Sequence, residues 1–108
     1  QVAEGRAKAW VNFKGTGTVS IRDDFNISSI TDNATGRYTV TFTNAMGSAE
    51  NYVVTGASGE GAGKDVVLHD SGGATYVAPT STAFRVRIAN SSGNHYDVQH
   101  VMLAIFGD

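Results

Sequence analysis

The chain has 108 residues with a formal net charge of −2 and no cysteine. That length suits one domain rather than two, and the charge balance argues against a nucleic-acid binder, which needs a basic face. Without thiols there is no disulfide framework and no cysteine nucleophile or zinc ligand.

The elements fall in short runs of period two, punctuated by Gly, Ser, Asn and Asp. The opening residues carry neither an apolar signal core nor an initiator Met, so the chain is expected to be cut from something longer. A first strand is predicted over 6–13, with Ala9, Val11 and Phe13 on one face and Trp10 on the other. Gly15-Thr16-Gly17 forms a tight hairpin into a strand over 18–23. A break at Asp23-Asp24 precedes a strand over 25–31. After the turn of residues 32–36, the run 37–43 alternates most cleanly, Tyr38, Val40 and Phe42 opposing Thr39, Thr41 and Thr43. A loop leads to strands over 52–58 and 64–70. A short strand over 74–78 runs to Pro79. A strand over 82–90 sets Phe84, Val86 and Ile88 against Arg85 and Arg87, and a last strand is predicted over 95–106. Eight or nine strands at roughly 8–12-residue spacing indicate an all-β, antiparallel sandwich of jelly-roll-like type. No apolar run approaches the ~20 residues that span a bilayer.

The glycine-rich stretch GASGEGAGKD invites a phosphate-loop reading, which its spacing rejects. With Gly63 and Lys64 anchored, Ser58 stands where the first glycine belongs and Asp65 where a metal-binding hydroxyl belongs. Four glycines between two strands instead form a surface connection. A Ser–His–Asp triad has no G-x-S-x-G elbow to support it. His95 and Asp97 share a face of the predicted last strand while His100 faces the other way, which breaks a three-ligand metal cluster. The expectation is therefore a non-enzymatic domain with no cofactor and no metal.

The run VMLAIF (101–106) is apolar at every position, whereas a strand with one solvated face would alternate. It and the first strand should be covered on both faces. Another copy of the chain is the simplest cover, with Trp10, Val101, Leu103 and Ile105 as interface residues. For ligand contact, the candidates lie in the loops 45–51, 58–64, 71–76 and 91–96. They are Asn51, Glu60, Lys64, Tyr76, Asn94, His95 and Tyr96.

The segment from Ala7 to Met46 holds AWVNF, GTGTVSIR, FNISSITDN and TGRYTVTF, and the chain closes on VMLAIFGD. These stretches resemble the tail-fibre and tail-tip proteins of double-stranded DNA bacteriophages; the middle, 47–94, matches only as strands and glycine loops. The resemblance implies a C-terminal domain at the distal end of a fibre on the virion. It implies a homotrimer beside other tail proteins, binding a host-surface glycan or protein without membrane insertion. The alternatives are a carbohydrate-binding module of a larger protein and a purely structural trimerisation cap.

Overall fold

In the computed structural model, residues 6–59, 65–68, 78–89 and 94–107 are described. They contain eight strands: β1 Ala7–Lys14, β2 Ser20–Phe25, β3 Ile27–Ala34, β4 Arg37–Phe42, β5 Tyr52–Ser58, β6 Asp65–Leu68, β7 Ala83–Ala89 and β8 Val101–Gly107. No helix occurs among the described residues. Two four-stranded sheets form, in the orders β2-β1-β8-β5 and β3-β4-β7-β6, and every pairing is antiparallel. The nested pairs β1–β8 and β4–β7 join the two ends of the chain in the middle of the sandwich.

Alternation in the sequence sets which face is buried. Tyr38, Val40 and Phe42 on β4 and Phe84, Val86 and Ile88 on β7 are buried, while Thr39, Thr41, Arg85 and Arg87 between them are only partly covered. Ala9, Val11 and Phe13 of β1 face them from the other sheet, with Val101, Leu103 and Ile105 of β8. Phe13 meets Tyr38 edge-on at 5.2 Å between ring centroids, and Phe42 meets Tyr52 at 5.6 Å in the same manner. Edge-to-face pairs such as these add about 0.5–1.5 kcal/mol beyond the area they bury. Two loop residues complete the core: Met46 and Val98 are buried although neither lies in a strand.

Two boundaries differ from the sequence reading in ways that matter. β2 runs straight through Asp23 and Asp24, and the chain reverses at Asn26, whose φ is 61°. Charged side chains are tolerated there because β2 is an edge strand, where they also discourage pairing with foreign strands. The last strand starts at Val101 rather than 95, and residues 95–100 hold only one isolated bridge, Ala89 to His95. Their polar side chains cannot supply the buried face of a central strand. The strand predicted over 74–78 lies, except for Ala78, outside the described residues.

Tyr38 ties one end of the sandwich together. Its hydroxyl lies 2.8 Å from the Gly15 carbonyl oxygen and 2.9 Å from Asp97 Oδ1, so one proton serves two acceptors. The same carboxylate oxygen accepts the Gly36 N–H at 2.8 Å. Burial, reinforced by the Asp97 carboxylate, drives the Tyr38 phenol far above its usual range. Burial alone raises Tyr52 to about 12. In the unfolded chain both ionise near 10. Between pH 10 and 12 the folded state therefore holds more protons than the unfolded state, and stability falls as pH rises through that window. Ultraviolet titration of phenolate should show both rings still un-ionised at pH 11 while the fold persists, then ionising together with unfolding. Ionisation of all four tyrosines near pH 10 in the folded protein would contradict this.

Candidate functional site

Two surfaces stand out, and both follow from strand register. The first is the outer face of the β2-β1-β8-β5 sheet. Trp10 is paired with Phe25 across β1–β2 and with Ala104 across β1–β8. Asn12 is opposite Met102, which is opposite Ala57; Val53 is opposite Phe106. Because side chains alternate along a strand, Phe25, Trp10, Met102, Ala104, Phe106 and Val53 all share this outer face. Phe25 is 52% exposed, Val53 64%, Met102 41% and Trp10 38%; these are all the exposed large hydrophobic side chains among the described residues. A scatter of single apolar residues is normal on a protein surface, whereas a contiguous patch marks an interaction site.

That face has relief. Trp10 and Phe25 stand up over β1 and β2. An open hollow of about 570 Å³ runs from Trp10 and Asn12 of β1 across β8 to β5, floored by small residues including Thr55, Gly56, Ala57 and Ala104. Gly56 is opposite Leu103, so its missing side chain is on the core side of the sheet. A Cβ at Gly56 would run into the Leu103 side chain and lie 2.7 Å from the Met102 carbonyl oxygen, so only glycine allows Leu103 its place in the core beneath.

The second surface is a polar cleft of about 360 Å³ at one end of the sandwich, lined by Lys8, Asn26, Asn44, Met46, Ser48 and Asn51 among others. Asn26 builds its wall. Its Nδ2 donates to the carbonyl oxygens of Lys8 and Asn44, each at 3.2 Å, and its Oδ1 accepts the Asn44 N–H at 2.7 Å. Asparagine is among the few residues that hold a left-handed backbone at modest cost, so the chain reversal and the clamp come from one side chain.

The structure sorts the sequence candidates as follows. Trp10 is on the outer face as expected. Val101, Leu103 and Ile105 are not interface residues: they are buried in the protomer's own core. The strand is apolar on both faces, as the sequence suggested, but the outward set is Met102, Ala104 and Phe106. Asn51 lines the polar cleft. Asn94, His95 and Tyr96 lie at the opposite end, where Gly15 N–H donates to Val98 O and Gly59 N–H to His100 O. Asn94 is exposed there. His95 is half-buried, its Nε2 3.5 Å from Arg37 Nη2, and Tyr96 is partly buried against the core. Glu60, Lys64 and Tyr76 lie outside the described residues. The candidate loop 45–51 and residues 94–96 are thus at opposite ends and do not form one site, and the rest of the 91–96 loop lies outside the described residues. Sequence reasoning missed Phe25, Val53 and Met102 on the apolar face, and Lys8, Asn26 and Asn44 in the cleft.

Asp97 is committed to Gly36 and Tyr38, so it is not held ready for a metal beside His95. Among the described residues no group of three His, Cys, Asp or Glu side chains is placed to hold an ion. No described helix is long and apolar enough to cross a membrane. No family model, curated protein or solved structure matches this chain.

Proposed function

We propose that this chain is the distal domain of a phage tail fibre, which trimerises through the outer face of its β2-β1-β8-β5 sheet and presents its loops to a host-surface receptor. One observation carries the assembly: every exposed large hydrophobic among the described residues lies on that one face. Its relief supports a ring. The Trp10–Phe25 ridge borders the hollow over β8 and β5, Trp10 forming part of its wall, so ridge and hollow are adjacent features of the same face. A ridge set into the hollow of the next copy is a head-to-tail contact, and three such contacts around an axis close on themselves. The phage context rests on the sequence resemblance alone, and the receptor role on loops carried by a rigid scaffold. No enzymatic chemistry is part of this reading. A carbohydrate-binding module is the second reading, favoured by the amide-lined cleft, and it needs no self-association.

Light scattering on the isolated domain separates the two. The fibre reading expects particles of three 11.3-kDa chains at micromolar concentration. A monomer throughout the micromolar range would reject the fibre reading and favour the binding-module reading. Receptor presentation has its own check: replacing residues 47–51 by Gly and Ser in the intact fibre, which keeps the buried Met46 in place, should abolish adsorption of the phage to its host while the trimer persists.

A further inference from the structure

We infer that the polar cleft between the start of β1, the Asn26 reversal and the loop after β4 binds an acidic saccharide, with Lys8 meeting its carboxylate and the Asn44 and Asn51 amides its hydroxyls. This rests on the proposed receptor role and names the ligand class and the place.

Three features converge on the cleft. The first is a bulge. In the β1–β8 ladder Ala7 is opposite Phe106 and Ala9 is opposite Ile105, which leaves Lys8 as the extra residue. A bulge bends its strand and re-aims a side chain, and such bulges are enriched beside binding sites. Here the bulged lysine, next to the end of the ladder, is a lining residue of the cleft. The second is rigidity. The Asn26 amide clamps both Lys8 and Asn44 through their backbones, and Thr43 N–H donates to the Asn26 carbonyl at 3.0 Å. On the far wall Met46 is buried, its N–H donating to Ser81 O at 2.7 Å. Ser48 Oγ accepts the Glu50 N–H, which curls the loop over. Walls held in this way lose little freedom when a ligand binds.

The third feature is the chemistry of the lining. Its lining residues bring one ammonium, the carboxamides of Asn44 and Asn51 and one hydroxyl, the Asn26 amide being engaged in its clamp, with no carboxylate among the lining residues. Carboxamides both donate and accept, which suits vicinal hydroxyls. The single positive charge selects an acidic sugar over a neutral one, since hydrogen bonds to ionised groups are roughly twice as strong as neutral ones. The volume of about 360 Å³ is at the small end of ligand pockets and suits one or two sugar rings. No aromatic ring lines it, so stacking on a sugar face does not contribute.

The test is a titration of isotope-labelled domain, followed by nuclear magnetic resonance, with three probes: D-glucuronate, D-glucose and acetate. Glucuronate should shift the side-chain amide signals of Asn44 and Asn51 and the backbone signals of 45–48, saturating in the millimolar range. Glucose should bind the same signals at least tenfold more weakly, and acetate should not saturate. Lys8→Gln should bring glucuronate down to the level of glucose. Asn51→Ala should weaken both sugars while leaving the remaining spectrum in place. The proposal is overturned if glucuronate moves no signal in the cleft, if its shifts fall instead at 94–97, if glucose binds as tightly, or if Lys8→Gln changes nothing. Light scattering on the same samples reads assembly separately. A trimer without sugar binding defeats the cleft alone, and a monomer that binds glucuronate defeats the fibre reading and keeps the cleft.

Discussion

Trp10→Asp should break the proposed trimer into monomers and leave each monomer folded. Trp10 is the centre of the ridge on the outer face, flanked by Phe25 and Ala104. Aromatic anchors at interface centres typically cost 2 kcal/mol or more when truncated, which corresponds to roughly thirtyfold or more in dissociation constant per contact. A carboxylate in place of the ring adds a desolvation cost at each of the three contacts. The fold should be nearly indifferent, because a ring already 38% exposed in the single chain contributes little to the core. Met102→Asp should behave alike. Leu103→Ala, one residue along on the same strand, should do the opposite: it empties a core position and costs about 2–5 kcal/mol of fold stability. Trp10 is the only tryptophan, so its emission reports the contact directly. It should shift to longer wavelength as wild type is diluted and remain there in Met102→Asp at every concentration. A trimer that survives Trp10→Asp would place the interface elsewhere.

Which parts of this were legible beforehand follows from what a linear pattern encodes. β4 and β7 could be read residue by residue, because each has one buried and one partly solvated face and so carries a phase. β8 carries no phase: with apolar residues at every position, period two identifies two sets but not which one points inward. Pairing decides that. Val101, Leu103 and Ile105 are opposite Phe13, Val11 and Ala9, which belong to the buried face of β1. The second apolar face of β8 was thus legible, while three of the four residues assigned to an interface, Val101, Leu103 and Ile105, belong to the core. Asp23-Asp24 reads as a turn on composition, yet an edge strand accommodates it, and the reversal passes to Asn26, whose left-handed backbone and clamp are tertiary facts. Asn51 was visible as a loop amide. Lys8 was not, since its bulge is a property of the register between the two ends of the chain.

Gly36→Ala should cost several times as much as Gly17→Ala, although both glycines have the same left-handed backbone. The φ values are 68° and 59°. An alanine at either position incurs the left-handed penalty, about 1 kcal/mol. At Gly17 a Cβ meets nothing within 4 Å, so that penalty is the whole effect. At Gly36 it would lie 2.7 Å from both the nitrogen and the carbonyl oxygen of Tyr96 and 2.9 Å from the Ile88 carbonyl oxygen. These are backbone atoms, and they are tied in place. Ile88 N–H donates to Gly36 O at 2.7 Å, and Tyr96 N–H donates to Ile88 O at 3.0 Å. None can move aside by changing a rotamer, so the clash must break that ladder or push the 94–97 segment off the sandwich. Overpacking of this kind costs about 1–3 kcal/mol beyond the strain, and the displacement also pulls Asp97 from Gly36 N–H and Tyr38. The total is about 3–5 kcal/mol, a large share of a stability of roughly 5–15 kcal/mol. In thermal melts Gly17→Ala should fall by about 4–8 °C and Gly36→Ala by at least about 12 °C. The larger loss should come with altered signals for Asn94 and His95 and unchanged ones for Asn44 and Asn51 at the opposite end. Equal losses for the two variants would mean that the 94–97 segment is not pinned against the β3–β4 turn, and the loop at that end would lose the rigid support on which a receptor contact there depends.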